Sequence, residues 1–223
     1  MTQVSLVCKS EPCIPEAKTL KDLVVYCARV SNPKNQANLD TAEKLFNYLM
    51  REKHWSPFEM VSLTMEINTS RDIARQILRH RSFSFQEFSQ RYANPFIEGL
   101  GWDLREARLQ DFTNRQNSVS LDDSEHSQVL ANQWDGVQGD LMHAAKKAYN
   151  WAIDNGIAKE QARVLLPEGL TNSRMYMAGT LRSWLHYIEV REGNGTQKEH
   201  IEIAKACAQA IVATFPLASQ LGA

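Results

Sequence analysis

The residues from Val61 to Asn68 set the tightest limit on the fold. Val61, Leu63, Met65 and Ile67 alternate with Ser62, Thr64, Glu66 and Asn68. A period of two sends the apolar set to one face and the polar set to the other. That is the pattern of a strand in an antiparallel sheet with one dry side and one wet side. A helix is expected to follow at once, capped by Thr69 or Ser70 and running to about Arg79. Ile73, Ala74, Ile77 and Leu78 form its apolar side, and Arg71, Arg75 and Arg79 recur every fourth residue on the other. Like charges at that spacing cost about 0.2–0.5 kcal/mol per pair on an exposed helix, so something has to compensate them.

The rest of the chain supplies mostly helices. Val4 to Cys8 reads as a short strand, and Pro12 and Pro15 mark a loop. Thr19 and Asp22 form a capping pair, after which Leu20, Leu23, Val24, Cys27 and Val30 recur at helical spacing until Ser31-Asn32-Pro33. A second helix buries Ala42, Leu45, Phe46, Leu49 and Met50, and His54 to Glu59 is a non-helical link. Residues 94–125 read as polar loops with an acidic patch at Asp122, Asp123 and Glu125. From about Glu125 a long helix carries Leu130, Trp134, Val137, Leu141, Ala145, Ala148 and Ala152 until Asn155-Gly156 stops it. A shorter helix ends at Pro167, and Asn172 to Gly179 reads as a second strand. Leu181, Trp184, Leu185 and Ile188 mark a further helix whose opposite face shows Arg182 and His186. Gly193-Asn194-Gly195 is a turn. The last helix packs Ile201, Ala204, Ala208, Ile211 and Phe215, with Pro216 closing it. Helices packed on a small antiparallel sheet make this an α+β chain, expected to be one domain over 1–223.

Composition narrows the chemistry. Lys and Arg total 25 against 26 Asp and Glu, a net charge of −1, which argues against a protein that coats nucleic-acid polymers. No apolar run approaches the ~20 residues of a membrane span, and Met1 leads straight into a strand with no secretion signal. Cys8, Cys13, Cys27 and Cys207 form no CxxC pair and no metal-ligand spacing, as expected of a reducing cytoplasm. Neither GxGxxG nor GxxxxGK[ST] occurs, so no Rossmann turn or P-loop holds phosphates here.

Against that balanced background, Arg79-His80-Arg81-Ser82-Phe83-Ser84-Phe85-Gln86-Glu87-Phe88-Ser89-Gln90-Arg91 stands out. Guanidinium groups crowded together call for carboxylates, solvent or an anionic ligand. Arginine's planar fork suits phosphate especially well. On an extended segment Ser89 and Arg91 point to the same side, as a pair for one phosphate would. Glu87 can orient an arginine or accept from a ligand's ring N–H. A salt-bridged surface is the plain alternative.

The RHR of Arg79-His80-Arg81, followed after a spacer by Ser84, Glu87, Ser89 and Arg91, resembles the signature of the flavin-dependent thymidylate synthases. Cys27-Ala28-Arg29-Val30-Ser31, His54-Trp55-Ser56-Pro57-Phe58-Glu59, Ala162-Arg163 before Leu166-Pro167, and Leu181-Arg182-Ser183-Trp184 through Arg191 resemble further motifs of that family, in the same order. Residues 95–160 match nothing. The resemblance implies the family's α+β fold and conversion of dUMP to dTMP. Methylenetetrahydrofolate would give the carbon, FAD would carry the hydride, and NADPH would reduce the FAD. It implies that Gln76, Arg79, Glu87, Ser89, Arg91 and Arg163 hold dUMP, with Ser89, Arg91 and Arg163 near its phosphate. Ser56, Arg79, His80, Arg81, Glu87, Thr180, Leu181, Arg182 and His186 would contact FAD. Arg191 would sit beside the uracil ring as the catalytic cation. Gln86 stands where Asn is common in the family, and His186 where some members have Asn. A homotetramer with sites between subunits is implied as well, with no metal. Two other classes compete with this enzyme: a nucleotide- or RNA-binding module without catalysis, and an interaction protein whose arginines meet a partner's carboxylates.

Overall fold

The computed structural model describes residues 3–97, 99–193 and 195–214. Its centre is a four-stranded antiparallel sheet in the order β1-β2-β6-β3, made of β1 (Gln3–Lys9), β2 (Ser62–Ser70), β3 (Ser84–Glu87) and β6 (Asn172–Thr180). The alternation expected around β2 is realised: Val61, Leu63, Met65 and Ile67 are all buried. Each such side chain contributes roughly 1.5–3 kcal/mol by leaving water. β2 pairs with β6 along its whole length, from Ser62 opposite Thr180 to Ser70 opposite Asn172. β3 pairs with the other edge of β6, Ser84 opposite Ala178 and Glu87 opposite Met175.

Helices cover the dry face. They are α1 (Leu20–Ala28), α2 (Ala42–Arg51), α6 (Leu181–Arg191) and α7 (Lys198–Thr214), and their apolar sides join β2 and β6 in one core around Phe58, Trp184, Tyr187 and Ile203. The capping pair of α1 is a reciprocal box: Thr19 accepts from the Asp22 N–H, and Asp22 accepts from the Thr19 N–H at 2.9 Å. At Gly179 of β6, a Cβ would stand 2.4 Å from Phe83 Cδ1, so the Phe83 ring fills the space any other residue would need. Phe83 is thereby a core side chain, packed edge-on against Trp184 at 4.8 Å.

Several expectations are corrected. α1 ends at Ala28, and Val30 beyond it is exposed. The link after α2 contains a 3-10 turn, Ser56–Met60. The arginine helix α3 spans only Arg71–Ile77, so Arg79 and His80 lie in the turn that follows. Residues 94–125 contain a hairpin, β4 (Arg108–Gln110) paired with β5 (Ser118–Ser120). Its strands are too short and polar to show a period. The long helix α4 (Glu125–Asp154) has the expected extent but buries Ser127, Gln138, Met142, Ala145, Tyr149 and Ala152. Only Ala145 and Ala152 of the expected face are buried, while Trp134, Val137 and Leu141 are exposed. Within one chain the C-terminal half of α4 packs on α5 (Lys159–Ala162) and Leu166, and the apolar stripe of its N-terminal half is left facing outward. Phe215 and Pro216 lie outside the described residues, as does Asn194 of the expected turn.

Candidate active site

Two helices and a turn bring Gln76 and Arg191 into neighbouring hydrogen-bonded groups, which meet through the packed rings of His80, Tyr187 and His200. Gln76 lies on α3, and its amide Nε2 donates to Gln197 Oε1 at 2.9 Å. Arg191 is the last residue of α6, and its Nε donates to His80 Nε2 at 2.8 Å. An acceptor nitrogen must be bare, so His80 is neutral here. Burial first, then the charge of Arg191 and the neighbouring His186, hold its pKa down to about 4. A neutral partner fixes the direction of the guanidinium without cancelling its charge. The two terminal nitrogens of Arg191 have no hydrogen bond among the described residues, so its fork is free to meet a ligand. The His80 ring packs edge-on against Tyr187 at 4.9 Å.

Glu87, on the edge strand β3, is held by the other end of the arginine row. Ser173 donates to its Oε1 at 2.9 Å, Arg71 Nη1 approaches the same oxygen at 3.5 Å, and Arg75 Nη1 meets Oε2 at 3.3 Å. Arg75 also bonds Glu168 at 3.0 Å. Arg71 is buried, against the expectation that this whole row faces away from the core. Burial lowers its pKa, and Glu87 opposes that shift. Four residues further along, the Arg79 and Arg81 guanidiniums form no hydrogen bond or ion pair among the described residues, and both residues are exposed.

Two of the positions expected to meet flavin, Arg182 and His186, line a cleft of about 540 Å³ between the Ser56–Met60 turn and α6, with Ser56, Thr180 and Leu181 on the elements that frame it. Arg182, His186, Ser82 and Ser183 line it with Trp55 and Glu59. Arg182 forms an ion pair with Glu59. Thr180 caps α6, accepting from the Ser183 N–H at 3.3 Å. The Leu181 side chain is in the core and its N–H is spent on Val61 O, so this residue shapes the helix start from below. Ser56 opens the neighbouring turn and is exposed. The cleft is thus rich in donors, sets Lys53 and Arg182 against Glu189 and Glu59, and runs along α6 from near its N-terminus. Its hydroxyls, imidazole and guanidinium fit the hydrogen-bonding edges of FAD.

Ser89, Arg91 and Arg163 make a separate group. Ser89 Oγ accepts from the Arg91 N–H at 3.3 Å, and Arg91 pairs with Glu160 on α5 at 3.2 Å. Arg163 follows on the same segment, in the 3-10 turn Arg163–Leu165, with its side chain outward. Within one chain, then, the predicted residues fall into separate groups among the described residues. Three residues with evident roles escaped the sequence. Arg71 holds Glu87, and Arg105 ties Ser70, Asp72 and Glu199 together. His200 sits fully buried at the centre of the Gln76 network. Its signal was available: His200 shares the buried stripe of α7 with Ala204, Cys207, Ala208 and Ile211.

Comparison with known proteins identifies the family. The family described as thymidylate synthase complementing protein matches residues 15–217. The chain is 46% identical to a probable flavin-dependent thymidylate synthase of Paramecium bursaria Chlorella virus 1, covering 95% of this chain and 94% of that protein. It is also 46% identical to the flavin-dependent thymidylate synthase of Synechocystis sp., covering 97% and 93%. Among solved structures, the UMP/dUMP methylase PolB of Streptomyces cacaoi bound with 5-Br dUMP superposes with a TM-score of 0.77 at 25% identity, over 99% of this chain and 94% of that one. By the extent of these matches the chain belongs to the flavin-dependent thymidylate synthase family.

Proposed function

We propose that this protein converts dUMP to dTMP. Methylenetetrahydrofolate supplies the carbon, and NADPH reduces FAD, which supplies the hydride that completes the methyl group. The observation that carries the proposal is a set of guanidiniums without a counter-ion among the described residues, those of Arg79, Arg81 and Arg163, together with Arg191 held by a neutral histidine. A fold keeps such charges when an anion compensates them. A nucleotide phosphate, with about two negative charges near neutral pH, is suited to that. The names of the two 46% relatives and the 5-Br dUMP in the PolB structure support the same substrate class.

In this site Ser89, Arg91 and Arg163 take the phosphate. Gln76, Arg79 and Glu87 complete the nucleotide's surroundings, with Glu87 kept ready by Arg71, Arg75 and Ser173. FAD is held by Ser56, Arg79, His80, Arg81, Glu87, Thr180, Leu181, Arg182 and His186 around the cleft beside α6. Arg191 carries the chemistry. Its free fork lies against the uracil ring and stabilises the negative charge that develops as the ring carbon becomes a nucleophile. No thiolate is needed for that activation. Cys207 is fully buried, and burial pushes its thiol pKa far up.

The same reading includes a homotetramer with sites between subunits, in a reducing cytoplasm. The exposed stripe Trp134, Val137 and Leu141 and the scatter of site residues over separate groups support a partner copy. The free cysteines support the compartment. Among the described residues no helix is long and apolar enough to cross a membrane.

Purified protein loaded with FAD should be yellow, NADPH should bleach the oxidised-flavin band, and adding dUMP with methylenetetrahydrofolate should yield dTMP. A protein that retains no FAD and forms no dTMP refutes the proposal. Salt-sensitive binding to RNA in its place would favour a nucleic-acid module.

A further inference from the structure

Behind the proposed uracil site lies one buried titratable group with no assigned task, the imidazole of His200. Its Nδ1 is 3.3 Å from Gln76 Oε1, and its Nε2 is 3.1 Å from the Tyr187 hydroxyl. The rings of Tyr187 and His80 surround it, at 5.7 Å and 6.4 Å between centroids. Gln76 Nε2 donates to Gln197 Oε1, which fixes the amide with its oxygen toward His200. An amide oxygen can only accept, so the ring proton sits on Nδ1. A neutral imidazole has no second proton, so its Nε2 accepts from the Tyr187 O–H. Burial, with the charge of Arg191 and the neighbouring His80, holds the ring's pKa down to about 3, which keeps it neutral.

We infer that His200 is a positioning residue for nucleotide recognition: it locks the Gln76 amide with its oxygen turned inward, so that Gln76 meets the nucleotide only as a hydrogen-bond donor. The inference rests on the dUMP reading above and gives it chemical detail. One proton of the Gln76 NH₂ is taken by Gln197, and the second remains for the ligand. The group it meets must therefore be an acceptor oxygen of the nucleotide. A ligand offering an N–H at that point would face a donor, and turning it round would require the Gln197 amide, the His200 tautomer and the Tyr187 hydroxyl to reverse with it. The cross-link also joins α7 to α3, so the last helix sets the geometry of a residue more than a hundred positions earlier in the chain.

The test uses FAD-loaded enzyme and two variants. His200→Leu keeps the volume and removes the donor. His200→Asn keeps a side-chain N–H near the Nδ1 position. His200→Leu should weaken dUMP binding, followed by flavin absorbance, by about tenfold with FAD content unchanged. His200→Asn should recover most of that loss. Nitrogen-15 spectra of the wild-type imidazole should show the Nδ1–H tautomer, unchanged from about pH 5 to about pH 9. Wild-type dUMP affinity in His200→Leu, an equal loss in both variants, or an Nε2–H tautomer would each overturn the inference. Wild-type enzyme that binds no dUMP brings down the site reading itself, a result none of those three outcomes resembles.

Discussion

Arg71 and Arg75 belong to the same helical row as Arg79, yet the two ends of the row have opposite fates. Arg71 is 8% exposed and Arg75 is half-exposed, and both close on Glu87 across the sheet edge. Arg79 and Arg81 are exposed, and among the described residues no carboxylate pairs with either. The first pair is architecture: it desolvates charge only where an opposite charge and the Ser173 hydroxyl can take its place. The second pair carries charge that the chain itself does not match, which is the condition for binding an anion. Arg191 belongs with the second pair despite being partly buried, because its partner His80 is neutral. Spacing along the helix is thus no guide to role. Within this row, what separates the arginines proposed to bind from the structural ones is whether the described fold supplies their counter-charge.

The comparison breaks most visibly at Arg191. Arg191→Ala should lower dTMP formation by about 10²- to 10³-fold, the range for removing one preorganised electrostatic contact, while flavin content stays near wild type. Loss of both together would make Arg191 structural and move it to the other group. Arg71→Met should do the reverse. Removing one partner of a buried pair leaves Glu87 short of compensation and should cost about 3 kcal/mol of stability, read by urea denaturation. Arg75→Met is the control. That side chain is 46% exposed, so its loss should cost no more than about 1 kcal/mol.

Much of this was legible in the sequence, and the limits have physical reasons. β2 could be read because a half-buried strand writes its period into consecutive residues. The capping box of α1 could be read because Thr19 and Asp22 are local to one another. The length of α4 was readable for the same reason, but its orientation was not. Trp134, Val137 and Leu141 form a helical stripe as good as the one actually buried, and the sequence does not say whether a stripe meets the same chain or another. The fate of Arg71 was hidden because its partner Glu87 reaches it only through the pairing of β3 with β6. His200 was hidden by the assumption that an apolar stripe has only apolar members. Arg79, Arg81 and Arg91 were easier to single out, since they lie together in one motif, whereas Arg163, Arg182 and Arg191 were reached through the family resemblance.

A smaller effect follows from the two neutral histidines beside Arg191. His80 and His200 have folded-state pKa values of about 4 and about 3, below the ordinary value of 6.5. Between those limits the unfolded chain binds more protons than the folded one, so stability rises with pH there and falls as the medium is acidified. The loss should begin below about pH 6.5 and deepen toward pH 4, at no more than about 1.4 kcal/mol per pH unit for each histidine. Urea midpoints taken across that window measure it. His80→Gln should flatten part of the slope, because an amide oxygen can still accept from Arg191 Nε but does not titrate. A slope unchanged in that variant would mean that His80 is already charged, and Arg191 would then stand beside a second cation.

The smallest stability effect belongs to Arg81. It has no partner to lose, so Arg81→Ala should leave the urea midpoint within about 0.5 kcal/mol of wild type, as for most surface changes. If anything the protein should gain slightly, because relief of repulsion from Arg79 is worth a few tenths of a kcal/mol between exposed like charges. The same substitution should nonetheless weaken FAD retention, and that loss should shrink as salt is raised, since screening erodes what an exposed guanidinium gives an anion. A stability cost comparable to that of Arg71→Met, or FAD retention untouched at low salt, would erase the distinction between the two ends of the row.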